Sequence, residues 1–311
     1  MMDNSEISGS RFKLYLTSAI IIFVWGTAYT MVGYAVNFVD PAWVASFRTM
    51  LAALVLVAYV FIRGHKFPSL KEEVWLWYIA LGFLGMAVPF YLIARGQVHV
   101  ESGLTGILAG FMPLITIVLA HFLVAGERLS FRKFIGFLLG FVGIVILFMP
   151  DIDNLELVNN WRSQALIIIA AGCYASATII AKRAPYIKPS VGAAMMAIAG
   201  AILSFIFALF SGIPDTVPPA SAILAIFGLA VGSTGIANIL FLRLIQETGP
   251  SFVARINYLV PICALVAGMI FLSEPFQWRS VIALIVVIAG LVVAGSAHKA
   301  PIASPSTRRT D

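Results

Sequence analysis

Apolar residues fill ten stretches of this chain, and short polar segments separate them. Nearly all ten reach the length of about 20 helical residues that the apolar core of a bilayer requires. Open sheets are excluded, because each unpaired backbone group in lipid costs several kcal/mol. The pattern therefore predicts an all-α membrane protein with ten transmembrane helices. The predicted spans are residues 14–36, 42–62, 74–95, 101–125, 133–149, 163–182, 190–210, 220–243, 250–272 and 279–296.

The second half of the chain repeats the first. Placing Pro113 on Pro261 fixes an offset of 148 residues, the difference between 261 and 113. One residue is missing from the second copy after the prolines, so that Glu127 corresponds to Glu274. Each copy holds five spans, and because five is odd the second copy must enter the membrane in the opposite orientation. Inverted repeats of this kind recur in secondary transporters.

Charged residues in the short connections predict the orientation. Lys and Arg precede the first span and follow the second, fourth, sixth and tenth, whereas Asp40, Asp151 and Asp215 lie in other connections. Because basic loops stay on the cytoplasmic side, both termini are expected there. The predicted units are a first five-helix repeat at 1–149, an external linker at 150–162, a second inverted repeat at 163–297 and a cytoplasmic tail at 298–311.

Composition supports the membrane assignment. The chain is 61% hydrophobic and 11% charged, and its mean hydropathy is +0.99, which is outside the range of soluble proteins. The basic loops account for the formal net charge of +6, so no nucleic-acid partner is expected. Cys173 and Cys263 lie within apolar spans and are expected to be small buried side chains. The sequence predicts no metal site and no cofactor, and it is consistent with a monomer or weak homodimer in the lipid bilayer.

Three motifs mark the two copies. One is the arginine-led second span at 47–54, and another is Pro113 followed by the Gly-Glu-Arg-Leu motif at 126–129. The third is the return of that block between Pro261 and Glu274. Together they resemble the motifs of EamA-type transporters in the drug/metabolite transporter superfamily, and the resemblance covers essentially the whole chain. It implies a ten-helix transporter of the cell membrane, often an exporter of amino acids or related metabolites.

The two copies differ at Arg48, since Met196 stands where this arginine would be repeated. The two halves are therefore not expected to handle a substrate identically. An unpaired arginine at a helix centre costs about 2.5–3.5 kcal/mol on an insertion scale. Two interpretations remain open. Arg48 is a structural residue that is ion-paired or reaches the outer headgroups, or it anchors a substrate carboxylate by bidentate hydrogen bonding.

Polar and aromatic side chains within the spans are candidates for a substrate cavity between the repeats. Amides in lipid need partners, and rings with hydroxyl groups suit an amphipathic metabolite. Packing of aromatic side chains in the core is the alternative interpretation of the rings. The candidate substrate-binding residues are Trp25, Tyr29, Arg48, Tyr91, Asn238, Asn257 and Tyr258.

Pro113 and Pro261 are candidates for gating or hinge positions. A proline removes one backbone hydrogen bond of a helix, which indicates either a kink made for packing or a hinge. Gly136, Gly140 and Gly143 share one helix face and predict close helix packing.

Glu127 and Glu274 end the fourth and ninth spans, and they are expected to bond to neighbouring helix ends or to basic groups. His121 is the one plausible proton carrier in a span, but a packed histidine is the favoured interpretation.

These observations predict a secondary transporter. It is expected to move a small polar or amphipathic metabolite by alternating access, and the family resemblance implies an amino acid, neutral or aromatic, and export from the cell. The alternatives are a lipophilic-cation or drug efflux transporter and a non-transport membrane scaffold or sensor. Efflux of cations calls for a membrane-buried carboxylate, and the spans contain no Asp or Glu at mid-depth. An enzyme would need paired His/Asp ligands or an activated serine, so no catalytic residue is predicted.

Overall fold

A computed structural model describes residues 4–124, 130–148, 160–214, 216–257, 259–275 and 278–295, in which every regular element is a helix. The prediction of an all-α membrane protein is confirmed. Seven of the helices have the length and apolar composition of membrane spans, and the others are shorter. The helices are α1 (Asn4–Ala35), α2 (Pro41–Ile62), α3 (Val74–Gly96), α4 (Ser102–Leu123), α5 (Phe131–Phe148), α6 (Trp161–Arg183), α7 (Pro189–Phe210), α8 (Ala220–Thr248), α9 (Pro250–Asn257 and Val260–Phe271) and α10 (Trp278–Gly295).

Two helix ends differ from the predicted spans. α1 begins at Asn4, well before residue 14, and α8 continues to Thr248, past residue 243. Both extensions contain polar residues that an apolar window leaves out. A helix does not stop at the edge of the apolar layer, because its polar ends are hydrated and keep their backbone hydrogen bonds.

Helices α4 and α9 are interrupted at equivalent places. The second segment of α4 begins at Met112 and the second segment of α9 begins at Val260, which are related by the offset of 148. Pro113 and Pro261 lie in the first turn of these second segments. A proline is tolerated there because the first turn of a helix has no internal partner for its N–H groups. Each proline thus follows a break between two helical segments.

Two further irregularities are also related by the repeat. Residues Phe83–Ala87 of α3 and Leu229–Ile236 of α8 are π-helical. The offset carries 83–87 onto 231–235, within the second of these segments. A π-helical turn widens a helix locally and is frequent at functional sites. The repeat has therefore preserved a wide turn in both halves, and both wide turns lie beside the central cavity described below.

Equivalent helices of the two repeats pack against each other. α2 packs along α7, α4 crosses α9, and α5 packs on α10. Glycines permit the closest approach: a Cβ atom on Gly290 would lie 2.6 Å from the carbonyl oxygen of Gly136 and 2.9 Å from the backbone nitrogen of Gly140. The expectation that glycines of the fifth span serve close packing is confirmed for these two. Large apolar side chains such as Leu54 and Leu76 face outward, as contact with lipid requires.

Candidate substrate cavity

A cavity lies at the centre of the bundle, where the two repeats meet. Its empty volume is about 870 Å³ when the open solvent at its mouth is included, and eight helices contribute to its wall. No described side chain of α5 or α10 lines the cavity, and these two helices pack on each other. The aromatic lining residues are Trp25, Tyr29, Phe90, Tyr174 and Phe241. The lining residues with other polar side chains are Arg48, Thr178, Ser233, Asn238 and Asn257.

Arg48 supplies a buried positive charge to this cavity. Its side chain is 7% exposed. Its Nε donates a hydrogen bond to Thr234 Oγ1 (2.7 Å), and its Nη2 donates one to Ser233 Oγ (2.9 Å). The guanidinium carbon lies 3.7 Å from the ring centroid of Phe90, which is cation–π geometry. Both hydroxyl partners belong to the π-helical turn of α8, so Arg48 is hydrogen-bonded to the irregular part of that helix.

The structure corrects the interpretation of Arg48 as a headgroup-reaching or ion-paired residue. The side chain lies inside the bundle, and no carboxylate among the described residues forms an ion pair with it. A guanidinium group has five N–H donors, and protein hydroxyls account for two of them. The cavity is therefore lined by a cation with unused N–H donors, and an anion could accept hydrogen bonds from them.

Hydrogen bonds to backbone carbonyl groups of α8 hold the side chains around this charge. Ser233 Oγ donates to the carbonyl oxygen of Leu229 (2.9 Å), and Asn238 Nδ2 donates to that of Thr234 (2.6 Å). The indole N–H of Trp25 donates to the Ser233 carbonyl at 3.3 Å. These bonds satisfy carbonyl groups in the widened helix and leave the Asn238 amide oxygen available as an acceptor.

Aromatic rings form much of the remaining cavity wall. The rings of Trp25 and Phe241 lie 5.8 Å apart between centroids, and those of Phe90 and Tyr174 lie 6.5 Å apart. Asn257 contributes an amide from the first segment of α9, with its nitrogen 3.5 Å from the Met112 sulfur. Such a wall offers apolar contact with a small number of polar groups, which is typical of small-molecule sites.

The break in α9 forms part of the wall where α4 crosses it. A Cβ atom on Gly110 would lie 3.3 Å from Pro261 Cγ, and one on Gly106 would overlap the side chain of Ala264. Glycine at these positions lets the two interrupted helices touch. Gly106, Gly110 and Pro261 all line the cavity, so the crossing itself is part of the site.

Most of the predicted site residues come together at this cavity. Trp25, Tyr29, Arg48, Asn238, Asn257 and Pro261 line it. Tyr91 is outside the lining, with its ring 6.4 Å from that of Phe207. Pro113 is buried next to a lining residue but does not line the cavity itself. Tyr258 lies outside the described residues. That these residues bind a substrate stays a prediction.

The candidate residues from sequence did not include several lining residues. Ser233 and Gly85 are small and carry no distinctive signal in an apolar helix. One signal was available in the repeat. The offset of 148 carries Arg48 to Met196 and Gly85 to Ser233, so a partner found for one residue of a pair predicts the partner of the other. Phe90 was missed because the neighbouring tyrosine offers a hydroxyl.

Comparison with known proteins identifies the kind of molecule that contains this cavity. The model of the EamA-like transporter family matches the chain twice, over residues 13–149 and over residues 161–296. The chain belongs to the EamA-like transporter family. It is a multi-pass membrane transporter and not an enzyme, and its ten helices form two inverted five-helix repeats. The predicted family resemblance is confirmed.

Relatives of this EamA-like transporter come from distant organisms. An uncharacterized transporter of Archaeoglobus fulgidus is 24% identical over 289 residues, 90% of this chain and 98% of the relative. The uncharacterized inner membrane transporter YedA of Escherichia coli K12 is 25% identical over 286 residues, 92% of this chain and 89% of YedA. A solved crystal structure with 20% identity superimposes with a TM-score of 0.69 and covers 91% of this chain and 97% of its own. That likeness shows the fold alone.

Titratable groups are sparse around the cavity of this EamA-like transporter. Among the described residues, its lining contains no Asp, Glu or His. In the part of the chain that the structure describes, no three His, Cys, Asp or Glu side chains could together hold a metal ion. His121 is exposed on the outside of α4, with its ring 4.9 Å from that of Phe122. The expectation of a packed histidine is wrong, because the helix turns this position away from the bundle.

Proposed function

We propose that the protein exports a small amphipathic metabolite that carries a carboxylate, with an amino acid as the leading candidate. Transport proceeds by alternating access between the two repeats, in the cell membrane, with both termini in the cytoplasm. One observation carries the proposal: the buried guanidinium of Arg48 faces the cavity and uses only two of its donors on protein hydroxyls. The remaining donors are accessible from the cavity, where a carboxylate could accept charge-assisted hydrogen bonds from them.

The rest of the wall suits an amphipathic molecule. Trp25, Tyr29 and Phe241 offer apolar contact, and aromatic faces also attract an ammonium group. The side-chain amides of Asn238 and Asn257 present oxygen acceptors for the same group. A carboxylate at Arg48, an amino group near the amides and an apolar body against the rings would each have a partner.

Charge argues against lipophilic-cation efflux. At roughly 6 Å and an effective dielectric of about 20, a second cation would be repelled by about 3 kcal/mol, and an anion would be attracted by as much. The described lining contains no acidic side chain that could offset the charge of Arg48. A scaffold or sensor has no use for such a cavity, and membership in a transporter family speaks against it.

The test is counterflow in proteoliposomes with a matched panel of solutes. The panel contains alanine, leucine and phenylalanine, together with a nucleoside and a lipophilic cation. It also contains, for each amino acid, the matching amine without the carboxylate and the matching acid without the amino group. The purified protein is expected to exchange the carboxylate-bearing solutes. Arg48→Met should lower that exchange at least about tenfold, since a hydrogen bond to a charged group contributes about 1.5–3 kcal/mol. Arg48→Lys should keep part of it, because a lysine retains the charge but not the planar fork.

A control on the same helix separates loss of the anchor from loss of an arginine. Arg63 is the exposed C-terminal cap of α2, far from the cavity, and Arg63→Met should leave exchange unchanged. Exchange of amines or lipophilic cations that survives Arg48→Met undiminished would refute the proposal. Direction is tested with oppositely oriented vesicles.

A further inference from the structure

Two contacts in the cavity wall are equivalents of each other under the repeat. The offset of 148 carries Arg48 to Met196 and Gly85 to Ser233. In one half, Arg48 of α2 donates to Ser233 of α8 at 2.9 Å. In the other half, Met196 of α7 contacts α3, and its Cε lies 2.6 Å from where a Cβ atom on Gly85 would be. All four residues line the cavity. The same wall position is therefore polar in one repeat and apolar in the other.

The two contacts share an architecture. Each joins a straight helix of 22 residues to a π-helical turn, α2 to Leu229–Ile236 and α7 to Phe83–Ala87. The widened turns bring residues 85 and 233 towards the cavity. At the polar contact the turn carries a hydroxyl group, and at the apolar contact it carries no side chain at all.

The surroundings of Met196 are small and apolar. Its side chain is 2% exposed. Ala177 Cβ lies 3.4 Å from the position of a Cβ on Gly85, and Ala177 also lines the cavity. The methionine thus fills the room that glycine leaves, beside the methyl group of Ala177. Methionine is flexible and adapts to the shape beside it.

The two contacts lie at different depths. Arg48 is seven residues from the start of α2 and Met196 is seven residues from the start of α7, so each is about 10 Å from its own helix start. Because the repeats are inverted, those starts lie at opposite faces of the membrane. Helices of 22 residues are about 33 Å long, which leaves about 12 Å between the two positions along the membrane normal.

We propose that the two contacts are the two ends of one substrate site: Arg48, held in place by Ser233, binds the carboxylate, and Met196 packed on Gly85 limits the size of the apolar tail. This inference rests on the proposed function and adds to it an orientation of the substrate and a limit on its size. We call the contact of Met196 with Gly85, which sets this limit, the size gauge. The substrate lies along the membrane normal, with its carboxylate towards the start of α2 and its tail towards the start of α7. Met196 and Gly85 are specificity-determining residues that select among carboxylates by tail volume.

The size gauge can be shifted in both directions. Met196→Ala removes the part of the side chain that ends the cavity, so the tail end becomes larger. Gly85→Ala adds a methyl group where the methionine Cε now lies, and the flexible methionine must move into the cavity, so the tail end becomes smaller. Met195→Ala is the matched control, since Met195 is equally buried on α7 but does not line the cavity.

The experiment measures counterflow of alanine, valine, leucine, phenylalanine and tryptophan by the full-length protein in proteoliposomes. The quantity of interest is the flux ratio of the largest to the smallest transported amino acid. Met196→Ala should raise this ratio by about tenfold, the lower end of the discrimination that a methylene-sized change gives in an apolar pocket. Gly85→Ala should lower it by a similar factor. Arg48→Met should lower all fluxes by a similar factor and leave the flux ratio unchanged. Met195→Ala should also leave the flux ratio unchanged, even if a smaller amount of folded protein lowers every flux.

The outcomes separate this inference from the proposed function. Carboxylate exchange with ratios unchanged in both variants would overturn the size gauge while the proposed function stands. Failure of the unmodified protein to exchange any carboxylate would overturn both. If Met196→Ala does not fold, as judged by size-exclusion chromatography, Gly85→Ala decides alone, and an unchanged ratio in that variant counts against the inference.

Discussion

The carboxylate of Glu274 caps the helix that begins at Ser102. Its Oε1 accepts hydrogen bonds from the Ser102 backbone N–H (2.8 Å) and hydroxyl (2.5 Å), and its Oε2 accepts one from the Gly103 N–H (3.0 Å). These are the first amides of α4, where a negative charge also meets the positive end of the helix dipole. Gly268 leaves room for the carboxylate, since a side chain there would overlap it. The expectation that Glu274 bonds to a neighbouring helix end is confirmed, whereas Glu127 lies outside the described residues.

Removal of this cap should destabilise the protein. Glu274→Ala is expected to lower the free energy of unfolding by about 1–2 kcal/mol, because the first amides of α4 lose their acceptor. Glu274→Gln should lose less, since one amide oxygen can still accept. The measurement is thermal unfolding in detergent. Glu247→Ala is the control: its ion pair with Arg243 is more than half exposed on both sides, and such surface pairs contribute little. Equal losses in both alanine variants would contradict the role of the cap.

Glu101 should make stability depend on pH. Partial burial, and then the charge of Glu274, raise the pKa of Glu101 above its ordinary value. The folded protein therefore binds this proton more readily than the unfolded chain, so stability is greatest while Glu101 is protonated and falls as pH rises through the raised pKa. Glu101→Gln should melt at a higher temperature than the unmodified protein at neutral pH, and the gain should vanish at acid pH below the ordinary carboxyl range.

The cause of that shift can be checked in a second background. In a protein that already carries Glu274→Gln, the gain from Glu101→Gln at neutral pH should shrink, because one of the two causes is gone. A gain that is the same at every pH would mean that the substitution acts by packing and not by charge.

Gly290 should not tolerate a side chain. An added Cβ atom meets the backbone of α5 at 2.6 Å and 2.9 Å, and backbone cannot yield as a side chain can. Gly290→Val is expected to cost about 1–3 kcal/mol or more through overpacking. Gly172→Ala provides the contrast, because the nearest atom to its Cβ is Ile115 Cδ1 at 4.0 Å. That variant should be as stable as the parent or gain about 0.5–1 kcal/mol from the helix preference for alanine. Equal melting temperatures for the two variants would contradict the packing of α5 on α10.

Transport should depend only weakly on a proton gradient. A proton-driven carrier needs a titratable group that both sides of the membrane can reach. In the described part of the chain no Asp, Glu or His lines the cavity, and His121 is exposed on the outside of α4. We expect amino-acid flux in proteoliposomes to be little changed by a gradient of either sign, in the parent and in His121→Ala. Uphill accumulation that the gradient drives and that His121→Ala abolishes would show that the histidine carries the proton.

The orientation of the chain can be tested by labelling. Basic residues in the connections predict that residues 152–158 face outside and that residues 184–188 face the cytoplasm. After replacement of Cys173 and Cys263 by alanine, single cysteines in the two loops should react with a membrane-impermeant reagent from opposite sides. Reaction of both from the same side would contradict the predicted orientation of these loops.

The sequence alone determined the architecture, because a bilayer permits few solutions. Apolar stretches of helical length can span lipid only as helices, and the count of five per repeat then requires inversion. These conclusions depend on composition along the chain and not on which face of a helix points inward. For the same reason the positions of Arg48, Trp25 and the two prolines stood out: a charge, a large ring or a missing donor is unusual in any apolar helix.

Only the tertiary structure decided which side chains meet. Tyr91 was expected in the cavity, but its neighbour Phe90 lines it and lies against Arg48. Adjacent helical residues point about 100° apart, so a rotation of the helix by that angle about its axis would place Tyr91 where Phe90 now lies. In a soluble helix the polar face would reveal that rotation, but in lipid both the core and the surroundings are apolar and no such contrast exists. The partners of Arg48 are about 185 positions away in sequence, and folding alone brings Ser233 and Thr234 to it.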